Sequence, residues 1–274
     1  MALVGTGLEL IVRELATLRP HEETIPASVE QMTKRLSEDA MQKDPIIIDG
    51  RSGTVLDGMH RLAAFTSLGY DRAVCCSLDY ESSKVTIGRW ARVYSTDEGE
   101  QQLRVFADEG FTVPMNLKDA MAALDRREVG VAVAFGNDAF VQHNGSSLAK
   151  AFGIVERIDK ISTDHGWKRT FVREEEMSEE VSRKNGAVLL VQRLLKQDVI
   201  NAARSRKLFP CKTSMHTIDP RPVAVNFPLA DLIEEEGKEE LQEKLAGRKA
   251  RLLPPGSIYE GRKYKERLLL LNPA

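Results

Sequence analysis

The chain has 274 residues, 42% hydrophobic and 29% charged, with a formal net charge of −2. That length builds one large domain or two modest ones around a proper core, and the near-neutral charge supplies no global field for DNA or an anionic membrane. No apolar run approaches the roughly 20 residues that span a bilayer. The opening MALVGTGLELIVREL has no basic segment and carries Glu9 early, so it does not read as a signal peptide. The three cysteines, Cys75, Cys76 and Cys211, have neither zinc-ligand spacing nor an even count, which points to reduced thiols in a cytoplasmic protein.

In chain order, LELIVR (8–13) suits a strand, and LRPHEETIP, with two prolines and no clean periodicity, suits a loop. Val29, Met32 and Leu36 recur at helical spacing over 28–39, with Ser28 as a candidate N-cap. PIII and TVL read as two short strands joined by Asp49-Gly50-Arg51-Ser52-Gly53, a hairpin-like turn. A helix from about residue 60 stacks Leu62, Phe65 and Leu68, and Gly69 is placed to end it in a left-handed cap. Strands are expected at 73–79 and 84–94.

From about 96 the texture changes. Helices are expected at 97–109, 116–127, 146–161 and 195–206, and strands at 129–136 and 187–193. LFPCKTSMHTI reads as a loop, VAVNF as a strand and 229–247 as a charged helix. A soft boundary near 95 divides the chain into lobes 1–95 and 96–274, closely packed rather than strung on a linker. No internal repeat appears.

Three segments carry candidate chemistry. In LDGMHR a strand enters, Asp57-Gly58 turns the chain, and a helix begins. The first backbone N–H groups of a helix have no partner within it and carry partial positive charge, which suits an anion. Gly58 permits close approach, and His60 and Arg61 add donors, Arg61 with the fork that grips phosphate. Asp57 then acts as a cap, as an orienter of His60 or Arg61, or as a magnesium ligand. On the residues alone, the turn is equally an ordinary Asp-Gly cap with solvated neighbours. LRPHEET places His21, Glu22 and Glu23 on a loop, where a carboxylate is a candidate general base or simply solvated. FPCKTSMHTI gathers Lys212, Thr213, Ser214 and His216, which on the residues alone is an ordinary hydrophilic loop or a set suited to an anion, phosphate or a substrate carboxylate. Trp90 is a candidate cleft residue or a core tryptophan, with Arg92 on the same strand face. His143 and His165 match no motif and read as surface residues.

PIIID…TVLDGMHRLAAFTSLGYD resembles the core of the ParB/sulfiredoxin superfamily. Sulfiredoxins carry a catalytic Cys where this chain has Met59, so that chemistry is absent. ParB proteins typically carry Gly-Glu-Arg-Arg at the turn and a basic helix-turn-helix downstream, and neither is evident. Asp57-Gly58-Met59-His60-Arg61 is similar at four of five positions to the Asp-Gly-His-His-Arg of the free L-serine kinases. Pro-His-Glu at 20–22 and Phe-Pro-Cys-Lys-Thr-Ser-Met-His at 209–216 resemble two further segments of those kinases, in the same order, and YEGRKYKERL (259–268) also looks familial.

The resemblance implies an α/β (α+β) fold, with a ParB-like nucleotide-binding lobe, a second α/β lobe and an active site in the cleft between them. It implies phosphorylation of free L-serine to O-phospho-L-serine, with ADP or ATP as donor and Mg²⁺ as cofactor, in the cytoplasm, with cysteine synthesis as one destination of the product. Gly58, Met59, His60 and Arg61 would hold the nucleotide phosphates, Asp57 would orient the turn or bind Mg²⁺, and Glu22 or else Glu23 would take the serine proton. Trp90, Lys212, Thr213, Ser214 and His216 would form the substrate side. Met59 is where the chain leaves the kinase pattern, which keeps another small hydroxyl substrate open. The alternative is a ParB-like nucleotide-binding regulator of DNA or protein, which the mild net charge weighs against.

Overall fold

The computed structural model describes residues 2, 3, 5–142, 147–177, 186–233, 238–246 and 248–271. The chain divides into two compact units. The first comprises Met1–Ile87, Lys196–Cys211 and His216–Ala274, and the second comprises Gly88–Leu195 and Lys212–Met215. The boundary expected near 95 assumed two continuous stretches, whereas the first unit draws on three separate stretches of chain.

The first unit holds a five-stranded sheet in the order Ala2–Leu3, Leu8–Glu14, Arg72–Leu78, Ile46–Asp49, Val55–Asp57. Leu8–Glu14 alternates: Leu8, Leu10 and Val12 are buried while Glu9 and Glu14 face solvent, the period of a half-buried strand. Ile46–Asp49 runs parallel to Arg72–Leu78 and antiparallel to Val55–Asp57. Flanked on both edges, it is buried at every residue, which accounts for its unbroken apolar run. Cys75 and Cys76 sit in the neighbouring strand as core residues, and burial pushes the Cys75 thiol up to about 12. Neither thiol is a nucleophile near neutral pH.

The helices Pro26–Asp39 and Met59–Ser67 pack on each other, burying Leu36, Leu62, Ala64 and Phe65. The first starts two residues before the expected cap. Ile25 is the N-cap and Pro26 occupies the first turn, where its missing N–H costs nothing. Gly69 adopts φ +77° after the second helix, as expected. The C-terminal stretch adds a three-stranded sheet, in which Arg221–Val223 runs parallel to Leu268–Leu270 and the latter antiparallel to Arg251–Leu253. VAVNF is not one strand. Arg221–Val223 and Phe227–Pro228 are separate, because Ala224 and Asn226 take left-handed backbone between them. The expected 229–247 helix contains Ala230–Ile233 and Lys238–Ala246.

The second unit is built on a sheet ordered Lys168–Arg173, Val85–Ser95, Gly186–Val191, Val131–Phe135, Asp138–Val141, Val113–Asn116, of which it holds Val85–Ser95 from Gly88 on; the strand Ser214–Ile218 belongs to it only as far as Met215. The strands given a register in this sheet are antiparallel. Ala91, Val93, Ala132, Ala134, Val188 and Leu190 form one core face with Ala120 and Leu124 of the helix Leu117–Asp125. Helix Leu148–Asp164 buries Val155 and Ile158. The strands at 113–116, 138–141 and 168–173 were not foreseen. Ser214–Ile218 corrects the expectation of a loop: Ser214, His216 and Ile218 are buried and alternate with half-buried Met215 and Thr217, a strand period carried mostly by polar residues. The mixed α/β composition matches the expected fold class. No helix of the described residues is long and apolar enough to cross a membrane.

Candidate active site

Within the first unit, three consecutive residues of the strand Val55–Asp57 organise the candidate chemistry. The Val55 carbonyl accepts from His21 Nδ1 at 2.7 Å. Leu56 makes a backbone hydrogen bond to the His216 ring. The Asp57 carboxylate accepts from Arg221 Nη1 at 2.5 Å. Arg221 also donates to Glu266 at 2.7 Å and to the His216 carbonyl at 2.6 Å. Asp57, His216 and Arg221 are thereby fixed to one another across 164 residues of sequence.

His21 and His216 are both buried, with ring centroids 5.5 Å apart, edge to face. Burial, then the His21 ring, hold the His216 imidazole well below its ordinary value of 6.5. Burial likewise lowers His21, against the opposing pull of Glu22. Both rings are therefore neutral near pH 7. With the Leu56 carbonyl taking the one ring N–H of His216, its Nε2 is left to accept from the Tyr80 hydroxyl at 2.7 Å. Tyr80 is 1% exposed, and Lys196 Nζ lies 5.4 Å from the centre of its ring.

The 20–23 loop is anchored by Phe209. Its N–H donates to the His21 carbonyl, and its carbonyl accepts from the Glu23 N–H, both at 2.9 Å. This holds Glu22 at 6% exposure while Glu23 faces solvent.

At the 57–61 turn, Gly58 and not Asp57 is the N-cap, at φ +100°, and no side chain caps the helix start. The left-handed backbone favours glycine, and a Cβ there would meet Arg61 Nη1 at 3.0 Å and Ile46 Cα at 3.4 Å, so the Arg61 guanidinium would have to give slightly. Met59 heads the helix, half-buried. His60 Nε2 accepts the Ile25 N–H at 3.0 Å, tying the starts of the two helices together. Arg61 donates to the Pro45 carbonyl at 2.8 Å and lies 3.7 Å from Asp44, so its guanidinium is already oriented by protein. Beside it is a recess of about 440 Å³ lined by Met32, Arg35, Met41, Lys43, Asp44 and others.

The Asp57 side chain is 53% exposed on its open side and densely surrounded elsewhere. That crowding works to raise its carboxyl, but Arg221, then Arg61 and Arg262, outweigh it and keep the group below its ordinary value. Among the described residues no group of three or more His, Cys, Asp or Glu is arranged to hold a metal. The donor set thus fits only an ion brought in largely by other ligands, with Asp57 as one hard oxygen donor.

In the second unit, Lys212 takes left-handed backbone, φ +56°, and its Nζ lies 4.8 Å from the centre of the half-buried Trp90 ring, a cation–π contact. Thr213 and Ser214 are buried. Arg92 is fully buried against Asp159, and Arg89 against the Val191 carbonyl, Asp125 and Glu174. His165 is exposed and stacks on Trp167, while His143 lies outside the described residues. Sequence reasoning missed Arg221, Tyr80, Asp44 and Glu266. Nothing local in DPRPV signals a partner for Asp57. The familial tail was the one hint, since Tyr259 donates to Asp44 and Glu266 accepts from Arg221.

No protein-family model matches the chain. A ParB-like protein of Sulfolobus acidocaldarius is 38% identical over 90 residues, 32% of this chain and 45% of that one, so this chain spans less than half of that relative. An ATP-dependent L-serine kinase of Staphylothermus marinus is 23% identical over 238 residues, covering 82% of this chain and 92% of the relative. A solved structure of a free serine kinase mutant in complex with ADP superposes with a TM-score of 0.68 at 21% identity, over 82% of this chain and 94% of that one. At that identity the likeness establishes the fold. In sequence this chain is a relative of proteins named ParB-like and ATP-dependent L-serine kinase, and it shares the fold of the free serine kinases.

Proposed function

We propose that this protein transfers a phosphoryl group from ADP or ATP to the hydroxyl of free L-serine, giving O-phospho-L-serine. The observation that carries the reading is the assembly of the Pro-His-Glu loop, the Asp-Gly-Met-His-Arg turn and His216 on one strand of the first unit, although nearly 200 residues separate them. Glu22, buried in the same unit, and the uncapped helix start with Arg61 at hand are groups that phosphoryl transfer to a hydroxyl can use.

In this reading the nucleotide phosphates meet the Gly58 turn, with its body in the recess beside Arg61. Glycine lets the backbone approach, and the first-turn donors receive phosphate oxygens. Arg61, held by Pro45 and Asp44, presents a fixed charge. The serine Oγ attacks the terminal phosphorus as its proton passes to Glu22. The bridging P–O bond breaks, and AMP leaves from ADP, or ADP from ATP. The neutral His21–His216–Tyr80 array adds no charge of its own beside Glu22. The resemblance to the serine kinases is what assigns Lys212, Thr213, Ser214 and Trp90 to the serine. Mg²⁺, when bound, neutralises phosphate charge, and Asp57 is the residue that would hold it. Alignment and charge neutralisation supply most of the acceleration in such transfers. Free serine and nucleotides are intracellular metabolites, and we infer a cytoplasmic location.

The test is incubation with Mg²⁺ and ADP or ATP, in separate reactions, over a panel of free hydroxy amino acids. Phosphoserine is expected, with AMP or ADP identifying the donor, and its absence with both donors overturns the reading. The ParB-like relative favours a second reading, a nucleotide-binding DNA regulator. Tight DNA binding that weakens steeply with salt, without phosphoserine formation, would select it.

A further inference from the structure

The turn that joins Ile46–Asp49 to Val55–Asp57 lies at the opposite end of the hairpin from Asp57, which pairs with Ile47. It borders a second recess in the first unit, of about 800 Å³. Five arginines line it, Arg13, Arg19, Arg51, Arg204 and Arg206, and no aspartate or glutamate does. It shares no lining residue with the recess beside Arg61.

The five reach it from separate parts of the unit. Arg13 comes from the strand Leu8–Glu14, Arg19 from the segment leading to His21, and Arg51 from the hairpin turn. Arg204 comes from the last turn of the helix Lys196–Ser205, and Arg206 lies just past it, at φ +56°. Of these five, Arg51 makes an ion pair among the described residues, a loose one at 3.6 Å to Asp79 with both side chains exposed. A guanidinium stays charged throughout the accessible pH range. Five of them around one concavity repel each other in the folded chain, and an anion relieves that repulsion. Their forked donors match phosphate oxygens.

We propose that this recess is an anion site for a small molecule carrying two or more phosphate groups, separate from the site of phosphoryl transfer. Its volume falls within the roughly 300–1,000 Å³ of small-molecule sites. Buried Leu18 and Ile48 among its lining residues offer apolar surface to the body of such a ligand. No aromatic residue lines it, so it lacks the stacking platform of a single-strand nucleic-acid groove. The Arg19 N–H donates to the Gly53 carbonyl at 2.9 Å, and the Arg19 carbonyl accepts from the Val55 N–H at 3.0 Å. A ligand held by Arg19 and Arg51 therefore braces the backbone that leads into His21 and Glu22.

The test is calorimetric titration of inorganic pyrophosphate into the full-length protein, with and without saturating ADP, and into the double variant Arg204→Ser/Arg206→Asn. Both replaced side chains are exposed, and asparagine tolerates the left-handed backbone at 206. Expected is one pyrophosphate bound by the wild type in the presence of ADP, weakened at least about tenfold in the double variant. Pyrophosphate should raise the melting temperature of the wild type and not of the variant. Equal binding by both proteins, or none at millimolar concentration, overturns the proposal. So does a short single-stranded DNA that binds more tightly than pyrophosphate with steep salt dependence. The readout needs no phosphoryl transfer, so a negative serine kinase assay leaves it intact. If ADP does not bind, the titrations without it still decide the matter.

Discussion

Glu22 and Glu23 are adjacent in sequence and opposite in placement. Glu22 is shielded beside His21, and Glu23 faces solvent. A base must be held in a fixed place to take the hydroxyl proton, and of the two only Glu22 is shielded. Glu22→Gln is expected to lower phosphoserine formation by about 10²- to 10⁴-fold while leaving nucleotide affinity unchanged, and Glu23→Gln to retain near wild-type turnover. Steady-state rates with a parallel nucleotide titration check both, and equal losses would remove the distinction. The two buried histidines make a separate prediction. Their folded-state values lie below 6.5, so as pH falls through 6.5 the unfolded chain takes up protons that the folded chain does not. Stability must then fall with pH, from about 6.5 down through the folded-state values. Asp57, also lowered, acts only beneath its ordinary 3.8 and adds nothing in that window. The urea midpoint is expected to drop between about pH 7 and about pH 5, and His216→Gln to flatten the drop. An unchanged slope would mean that His216 titrates alike in both states.

The turn and the 214–218 strand differ in how far sequence reaches them. Asp57-Gly58 was legible because its glycine answers a local demand: φ +100°, with Ile46 and Arg61 close by. Gly58→Ala is expected to destabilise the fold by about 1–2 kcal/mol from the left-handed backbone alone, and to disturb the Arg61–Pro45 hydrogen bond that the new methyl crowds. Urea denaturation measures the first effect, and loss of nucleotide affinity out of proportion to stability reports the second. A stable variant with normal affinity would show that the turn tolerates a side chain. Ser214–Ile218 was not legible, since its period of two is carried by Ser214 and His216, which hydrophobic patterning does not weigh. The same blindness hid the split of VAVNF, where alanine and asparagine hold left-handed backbone without a glycine to mark it. Long apolar elements such as 131–135 and 148–164 were found because burial and periodicity agree there.

For the whole molecule, sequence order and cooperative unit part company. A cut at 95 follows the change in texture, yet the first unit recovers its remaining contacts from beyond 195. Phe209 anchors the 21–23 loop, and Arg221 neutralises Asp57. Phe227–Pro228 pairs with Met41–Gln42, and Gln242 donates to the Leu10 carbonyl at 2.7 Å. Leu241 and Leu245 are fully buried in the same unit. A fragment of residues 1–95 loses all of these together. It loses the helix Lys238–Ala246 that packs on the strand Leu8–Glu14, and a sheet stripped of a covering layer does not retain a core. Such a fragment is expected to show no cooperative urea transition. A chain with 88–195 replaced by a flexible glycine-serine linker keeps every contact internal to the first unit and is expected to unfold cooperatively. Circular dichroism across a urea series reads both. A sharp transition in 1–95 alone would mean that the early residues carry their own core and that the later stretches only decorate it. The discontinuity also explains why the site resisted local reading. Each motif was visible where it stands, but what orients it comes from a stretch of chain well over a hundred residues away, where DPRPV and KERL have no reason to look catalytic.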